Sequence, residues 1–146
     1  MTYHYKDSGL DRVFLVNGYE VHATPYGDAV SIDDVDGLHR AIARAVVRSP
    51  KPIDGAEFRF LRKHLDLSQK ALANLIGAEE QNLYRWERFR SKAVPGMADR
   101  LIRVLFQESD DGRPGRWILD RLADLDPVDA DDIKLDRSAA GWAVAA

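Results

Sequence analysis

From residue 57 onward, apolar side chains recur three and four positions apart, and Ser, Gly and Pro stand where such runs begin and end. Phe58, Leu61 and Leu65 define the inner face of a helix over 57–65, with Arg59, Arg62 and Lys63 directed outward. Ala71, Leu72, Leu75 and Ile76 do the same over 67–76. Ser68 is placed to cap that helix, and Gly77 stands where the backbone needs a left-handed residue. Over 79–88, Leu83 and Trp86 point inward and leave Glu80, Gln81, Tyr84 and Arg85 outside. Pro95 suits the first turn of a fourth helix, carried to about residue 107 by Met97, Leu101, Ile102, Leu105 and Phe106. The run from Asp110 to Pro114 breaks it, and the apolar spacing from Trp117 predicts a fifth helix over 117–123.

Before residue 50 the pattern changes. Two β-rich runs, 12–16 and 19–23, flank Asn17-Gly18, whose residues tolerate the positive φ of a tight hairpin turn. A turn over 24–28 and a third short strand over 29–32 follow. Asp33 or Asp34 caps a helix ending at Arg48. Its buried stripe is Val35, Leu38, Ile42 and Ala45 or Val46, with Arg40, Arg44 and Arg48 outside. Ser49-Pro50-Lys51-Pro52 stops the helix and forms a stiff linker. The chain is therefore expected to be mainly α with a small β-hairpin N-terminal part, an α+β arrangement. Residues 1–50 form a hairpin-plus-helix unit for dimerisation or partner binding, and 51–125 a five-helix domain. Residues 126–146 form an acidic tail in which 133–135 and 141–144 are short strands or simply tail. Trp142 is expected to pack within the chain.

Charge sharpens this division. The net charge of −3 is spread unevenly. Residues 1–50 hold five Lys/Arg against seven Asp/Glu, 51–106 eleven against seven, and 107–146 five against ten. The positive excess coincides with the short helices, where attraction to phosphates would need it. No apolar run approaches the ~20 residues of a membrane span, and no signal-peptide pattern opens the chain, so a cytoplasmic protein is expected. With no cysteine there is neither disulfide nor thiolate metal site, and His4, His22, His39 and His64 lack ligand spacing. No nucleophile motif, paired-carboxylate motif or Gly-rich phosphate loop is present. Neither catalysis nor a cofactor is expected.

One combination is specific. Leu67, Ser68, Gln69, Lys70, Leu72, Ala73, Ile76 and Gly77, then Asn82, Leu83, Arg85, Trp86 and Glu87, resemble the helix-turn-helix of the phage-repressor-like (XRE) regulators. The stretch from Gly9 to Gly18, with the strand-rich segment and helix after it, resembles the antitoxin-type regulators of the MqsA family. The resemblance covers about residues 9–106 and implies a phage-repressor-like five-helix fold. That family holds zinc through paired cysteines in its N-terminal part and contacts a toxin there; without cysteines, the zinc site does not carry over.

The resemblance also implies roles. Gln81 and Arg85 match the base-reading positions, chemistry suited to adenine and guanine edges. Gln69, after Ser68 in the first turn of its helix, lies beside a backbone phosphate. Glu80, Asn82 and Tyr84 flank the reading face, and Glu80 can accept from cytosine N4. The Tyr84 ring can instead pack on a neighbouring helix, and Arg85 can instead pair with Glu87. Lys70, Arg88, Arg90 and Lys92 are phosphate contacts that fix register. The expected function is that of a homodimeric, antitoxin-like repressor reading a palindromic operator on double-stranded DNA through the major groove. The alternative is an interaction module that binds a toxin or another protein, with DNA binding secondary.

Overall fold

The structure is a computed structural model that describes residues 2–112 and 132–145. Along the chain run β1 (Tyr3–His4), a 3-10 turn, β2 (Phe14–Leu15), β3 (Tyr19–Thr24), β4 (Gly27–Ile32), α1 (Val35–Arg48) and α2 (Gly55–His64). Then come α3 (Gln69–Ile76), α4 (Glu80–Arg88), α5 (Gly96–Asp110), β5 (Leu135–Ser138) and β6 (Gly141–Val144). An α+β fold results, with five helices and three two-stranded antiparallel sheets among the described residues. The helix expected over 117–123 lies outside the described residues.

The first strands pair differently from the expectation. Asn17-Gly18 does not close a hairpin between 12–16 and 19–23. Instead β2 returns to β1, with Tyr3 opposite Leu15 and His4 opposite Phe14. Strand β3 pairs forward with β4, turning at Pro25-Tyr26. Gly18 does adopt a positive φ of 79°, but it redirects the chain from one sheet to the next. The reason is visible in the registers. Pairing β3 with β4 aligns Tyr19 with Ile32 and Val21 with Val30, so two alternating patterns share one apolar face. The His4 and Phe14 rings stack at 4.5 Å, a non-local contact that competes with the local turn.

Helix α1 begins where expected. Asp34 caps it, its Oδ1 accepting from the Gly37 N–H at 3.1 Å. A Cβ on residue 37 would lie 2.2 Å from the Asp34 carboxylate, so a larger residue there would displace the capping side chain. Ile42, Ala43 and Val46 are buried, whereas Val35 is exposed and Ala45 likewise faces out. Val35 sits in the opening turn, before the helix reaches the body of the molecule. Arg40 and Arg44 do not simply face solvent. Both converge on Asp110 at the end of α5, with Nε–Oδ distances of 2.7 and 2.8 Å.

The segment Ser49-Pro50-Lys51-Pro52 is fastened to α5. The Arg103 guanidinium donates to the carbonyls of Val47, Ser49 and Lys51, each at 2.8 Å. Asp99 orients that arginine at 2.6 Å and accepts from the Ile53 N–H at 2.8 Å. Buried side chains form one cluster that crosses this segment, from Tyr5, Leu10 and Leu15 through Ile42 and Val46 to Phe58, Leu72, Leu83 and Phe106.

Helix α2 opens with a capping box, Asp54 accepting from the Glu57 N–H at 2.9 Å and Glu57 from the Asp54 N–H at 3.1 Å. Gly55 lets this end approach α4 closely, because a Cβ there would fall 2.1 Å from the Trp86 carbonyl oxygen. Pro95 is the N-cap of α5 rather than part of its first turn, and the helix runs on to Asp110. At the C-terminal end, β5 and β6 do form a hairpin, with Leu135 opposite Val144. Trp142 departs from the expectation of internal packing: it is 68% exposed, with the Arg137 guanidinium 6.0 Å from its ring centre.

Candidate nucleic-acid interface

The α3–turn–α4 unit is built as its sequence demands. Ser68 adopts extended backbone, and its Oγ accepts from the Ala71 N–H at 3.0 Å. That leaves the N–H groups of the first α3 residues, Gln69 and Lys70, at the solvent-facing start of the helix. Gly77 ends α3 with φ 72°, a left-handed conformation that turns the chain into α4. Leu72, Ala73 and Leu75 from α3 and Leu83 from α4 are buried together. Trp86 is half-buried, its ring edge-on to Phe58 at 5.8 Å.

A charged contact missing from the expectation fixes α4 in place. Arg62, expected outward, is 8% exposed and clamps Glu87, which is 6% exposed. Its Nε and Nη2 each donate to a Glu87 carboxylate oxygen at 2.8 Å, and its Nη1 donates to the Leu67 carbonyl at 2.9 Å. Gln69 completes the group, its Nε2 donating to Glu87 Oε1 at 3.3 Å. One ion pair thus joins α2, the loop before α3, the start of α3 and the last turn of α4. The planar guanidinium fork suits this bidentate geometry. The signal was present: Glu87 lies four residues after Leu83, and Arg62 four after Phe58, each on its helix's inner face.

With Glu87 engaged by Arg62, Arg85 does not pair with it. Among the described residues, Glu80, Gln81, Tyr84, Arg85 and Arg88 are exposed on α4 with no side-chain hydrogen bond or ion pair. Tyr84 is 56% exposed and does not pack its ring against a neighbouring helix. Asn82 is half-buried beside this face. Lys70 on α3 and Lys92 in the loop after α4 are likewise exposed and unpartnered among the described residues. Gln81 and Arg85, four apart on α4, therefore share one outward face with Arg88 farther along.

Two residues grouped with this face by sequence lie elsewhere in part. Gln69 is half-buried and turned to Glu87. Arg90 reaches back to the N-terminal segment, its Nη2 donating to the Gly9 carbonyl at 2.6 Å with Asp11 at 3.9 Å. Sequence spacing alone carries no trace of that contact, which joins residues 81 positions apart.

The histidines are dispersed. His4 bonds the Asp11 carbonyl, His22 meets Ser31, and His39 bonds the Tyr5 hydroxyl at 2.8 Å. Burial, with the neighbouring His39, holds the His64 imidazole below its usual range. Among the described residues, no group of three His, Asp or Glu side chains is placed to hold a metal ion. No helix of the described residues is long and apolar enough to cross a membrane. No protein-family model, curated protein or solved structure matches this chain.

Proposed function

We propose that this protein is a sequence-specific DNA-binding transcriptional regulator of the XRE helix-turn-helix type. In this reading it acts as a homodimeric, antitoxin-like repressor, akin to the MqsA family, and reads a palindromic operator. The observation that carries the reading is the pairing of a rigidly held short helix with an unengaged outer face. The Arg62–Glu87 clamp and the buried Leu83 fix α4, while Gln81, Tyr84, Arg85 and Arg88 remain without internal partners among the described residues. A helix of that kind matches major-groove readout, in which Gln81 takes an adenine edge and Arg85 a guanine edge. Ser68, Gln69 and Lys70 at the start of α3, with Arg88 and Lys92, hold the flanking phosphates. Glu80 favours a cytosine amino group at the rim of the site. Arg90 contributes charge to this surface while its guanidinium stays anchored on Gly9. Two copies one helical turn apart, roughly 34 Å, would read a two-fold site.

The test is binding to the DNA upstream of the protein's own gene, compared with unrelated DNA, across a salt series. The native protein is expected to prefer its own site by ~10³ or more. The Gln81→Ala/Arg85→Ala variant is expected to keep weak, salt-sensitive binding and lose the preference. Equal, weak binding of both proteins to any DNA would overturn the reading. A second reading, a module that binds a toxin or another protein, draws on one observation. Val21 is exposed on β3 and Tyr26, at the hairpin tip, is fully so.

A further inference from the structure

Among the described residues, strands β3 and β4 form an isolated pair with two open edges. The Asp33 N–H donates to the Gly18 carbonyl at 2.9 Å, which sets the alternation of the ladder. Gly18, Glu20, His22 and Thr24 therefore exchange hydrogen bonds with β4, while the N–H and C=O of Tyr19, Val21 and Ala23 point to the outer edge. Among the described residues, no backbone group elsewhere meets those three. The side chains of the same residues, with Val30 and Ile32 opposite, make the apolar face of the hairpin, which ends at Asp28 opposite Ala23. Tyr19 and Ile32 pack on the body of the molecule, whereas Val21 remains 52% exposed. Two strands alone are marginally stable in water, and β3 carries no lysine, proline or bulge to blunt its edge.

We propose that β3 pairs antiparallel with β3 of a second copy about a two-fold axis through Val21, making a continuous four-stranded sheet. The register follows from the residues. With Val21 opposite its own copy, Tyr19 faces Ala23 of the other strand, so all three outward residues on each side form hydrogen-bonded pairs. The apolar faces then join. On the opposite face, Glu20 of each copy lies across from His22 of the other. Slipping the register so that Tyr19 faces Val21 sets Glu20 against Glu20, a like-charge pair directly across the strands. Slipping it the other way sets His22 against His22. The β4 edge offers no equivalent: its symmetric pairing about Val30 sets the Asp28 carboxylate opposite Ile32 of the other copy, a charge on the joined apolar face. This inference extends the homodimer of the DNA reading but stands without DNA.

Five variants, beside the native protein, test it on the full chain. Sedimentation or light scattering of the native protein should give twice 16.4 kDa at micromolar concentration. Val21→Pro removes one outward N–H and no bond of the β3–β4 ladder, a placement that edge strands tolerate; it should give a folded monomer. Glu20→Lys should weaken the dimer about tenfold, and Glu20→Lys/His22→Glu should restore it, as expected for paired cross-strand charges. The chain has no cysteine, so Val21→Cys supplies a readout that does not depend on proline being tolerated. Opposed residues in a hydrogen-bonded pair have Cα atoms about 5.5 Å apart, within disulfide range. Val21→Cys should therefore oxidise rapidly to a covalent dimer, and Tyr26→Cys at the hairpin tip should not. A native monomer, a folded Val21→Pro dimer, or equal cross-linking at both positions would each overturn the proposal. Because none of these measurements involves DNA, failure here is distinct from failure to recognise an operator.

Discussion

Arg62 and Glu87 show how a pair of charges can decide the placement of a recognition helix. Both are almost fully withdrawn from water, and every polar atom of the pair has a partner, as do all buried side-chain polar atoms among the described residues. A buried pair of this kind adds little net stability over well-packed apolar groups, but losing one partner leaves the other charge stranded. Glu87→Leu is therefore expected to cost about 3–5 kcal/mol in urea unfolding, while Arg62→Met/Glu87→Leu costs much less. Equal losses in the single and double variants would remove the clamp from the account. The same residues mark where sequence reading stopped. Leu83 and Trp86 were legible as inward because apolar spacing says so. An arginine and a glutamate on the same inner faces were read by their charge, which points outward in most helices. Only the coincidence of the two faces in space shows that they neutralise each other.

At the scale of elements, legibility followed the range of the interactions. The caps of α1, α2 and α3 rest on contacts within a few residues, and Asp34, Ser68 and Gly77 occupy the positions their chemistry suggests. The hairpin is the contrary case. Asn17-Gly18 is a strong local turn signal, yet the partner of β2 lies on β1, ten or more residues away, where no local pattern records it. The junction between α1 and α2 has a testable pH signature. Desolvation pushes the Asp99 carboxyl up, but the Arg103 guanidinium and the Ile53 N–H outweigh it and hold the group below the usual carboxylate range. Asp110 is likewise depressed, by its hydrogen bonds to Arg44 and Arg40. A carboxyl depressed on folding contributes stability that is complete above its unfolded value of about 3.9 and is lost as pH falls through the folded value. Unfolding measured from pH 6 down to pH 2 should show native stability falling below about pH 4. Asp99→Asn should begin lower and lose less over the same interval. Parallel curves would mean that Asp99 carries no share of the acid response.

For the whole molecule, charge and core tell different stories. The basic excess sits on 51–106, while acids outnumber bases in 1–50 and in 107–146. Among the described residues, a single buried cluster nevertheless runs from Tyr5 to Phe106 across that boundary. Under the DNA reading, Lys92 touches a phosphate and reads no base. Lys92→Ala should then weaken operator and random DNA alike and lower the salt slope by about one. A loss confined to the operator would instead make Lys92 a base reader. The α+β class was recoverable because helix periodicity is dense over this region; the joining of the N-terminal unit to it was not. That union depends on Arg90 reaching Gly9, and on Arg40 and Arg44 reaching Asp110, all contacts between distant stretches.

Arg103 has a mechanical consequence. Its guanidinium gathers the Val47 carbonyl at the end of α1 and the Ser49 and Lys51 carbonyls of the stretch that its prolines mark as a linker between two units. With those carbonyls held, the stretch transmits torque instead of absorbing it. A twist applied at the N-terminal hairpin would then be passed through α1 into α5 rather than absorbed at the junction.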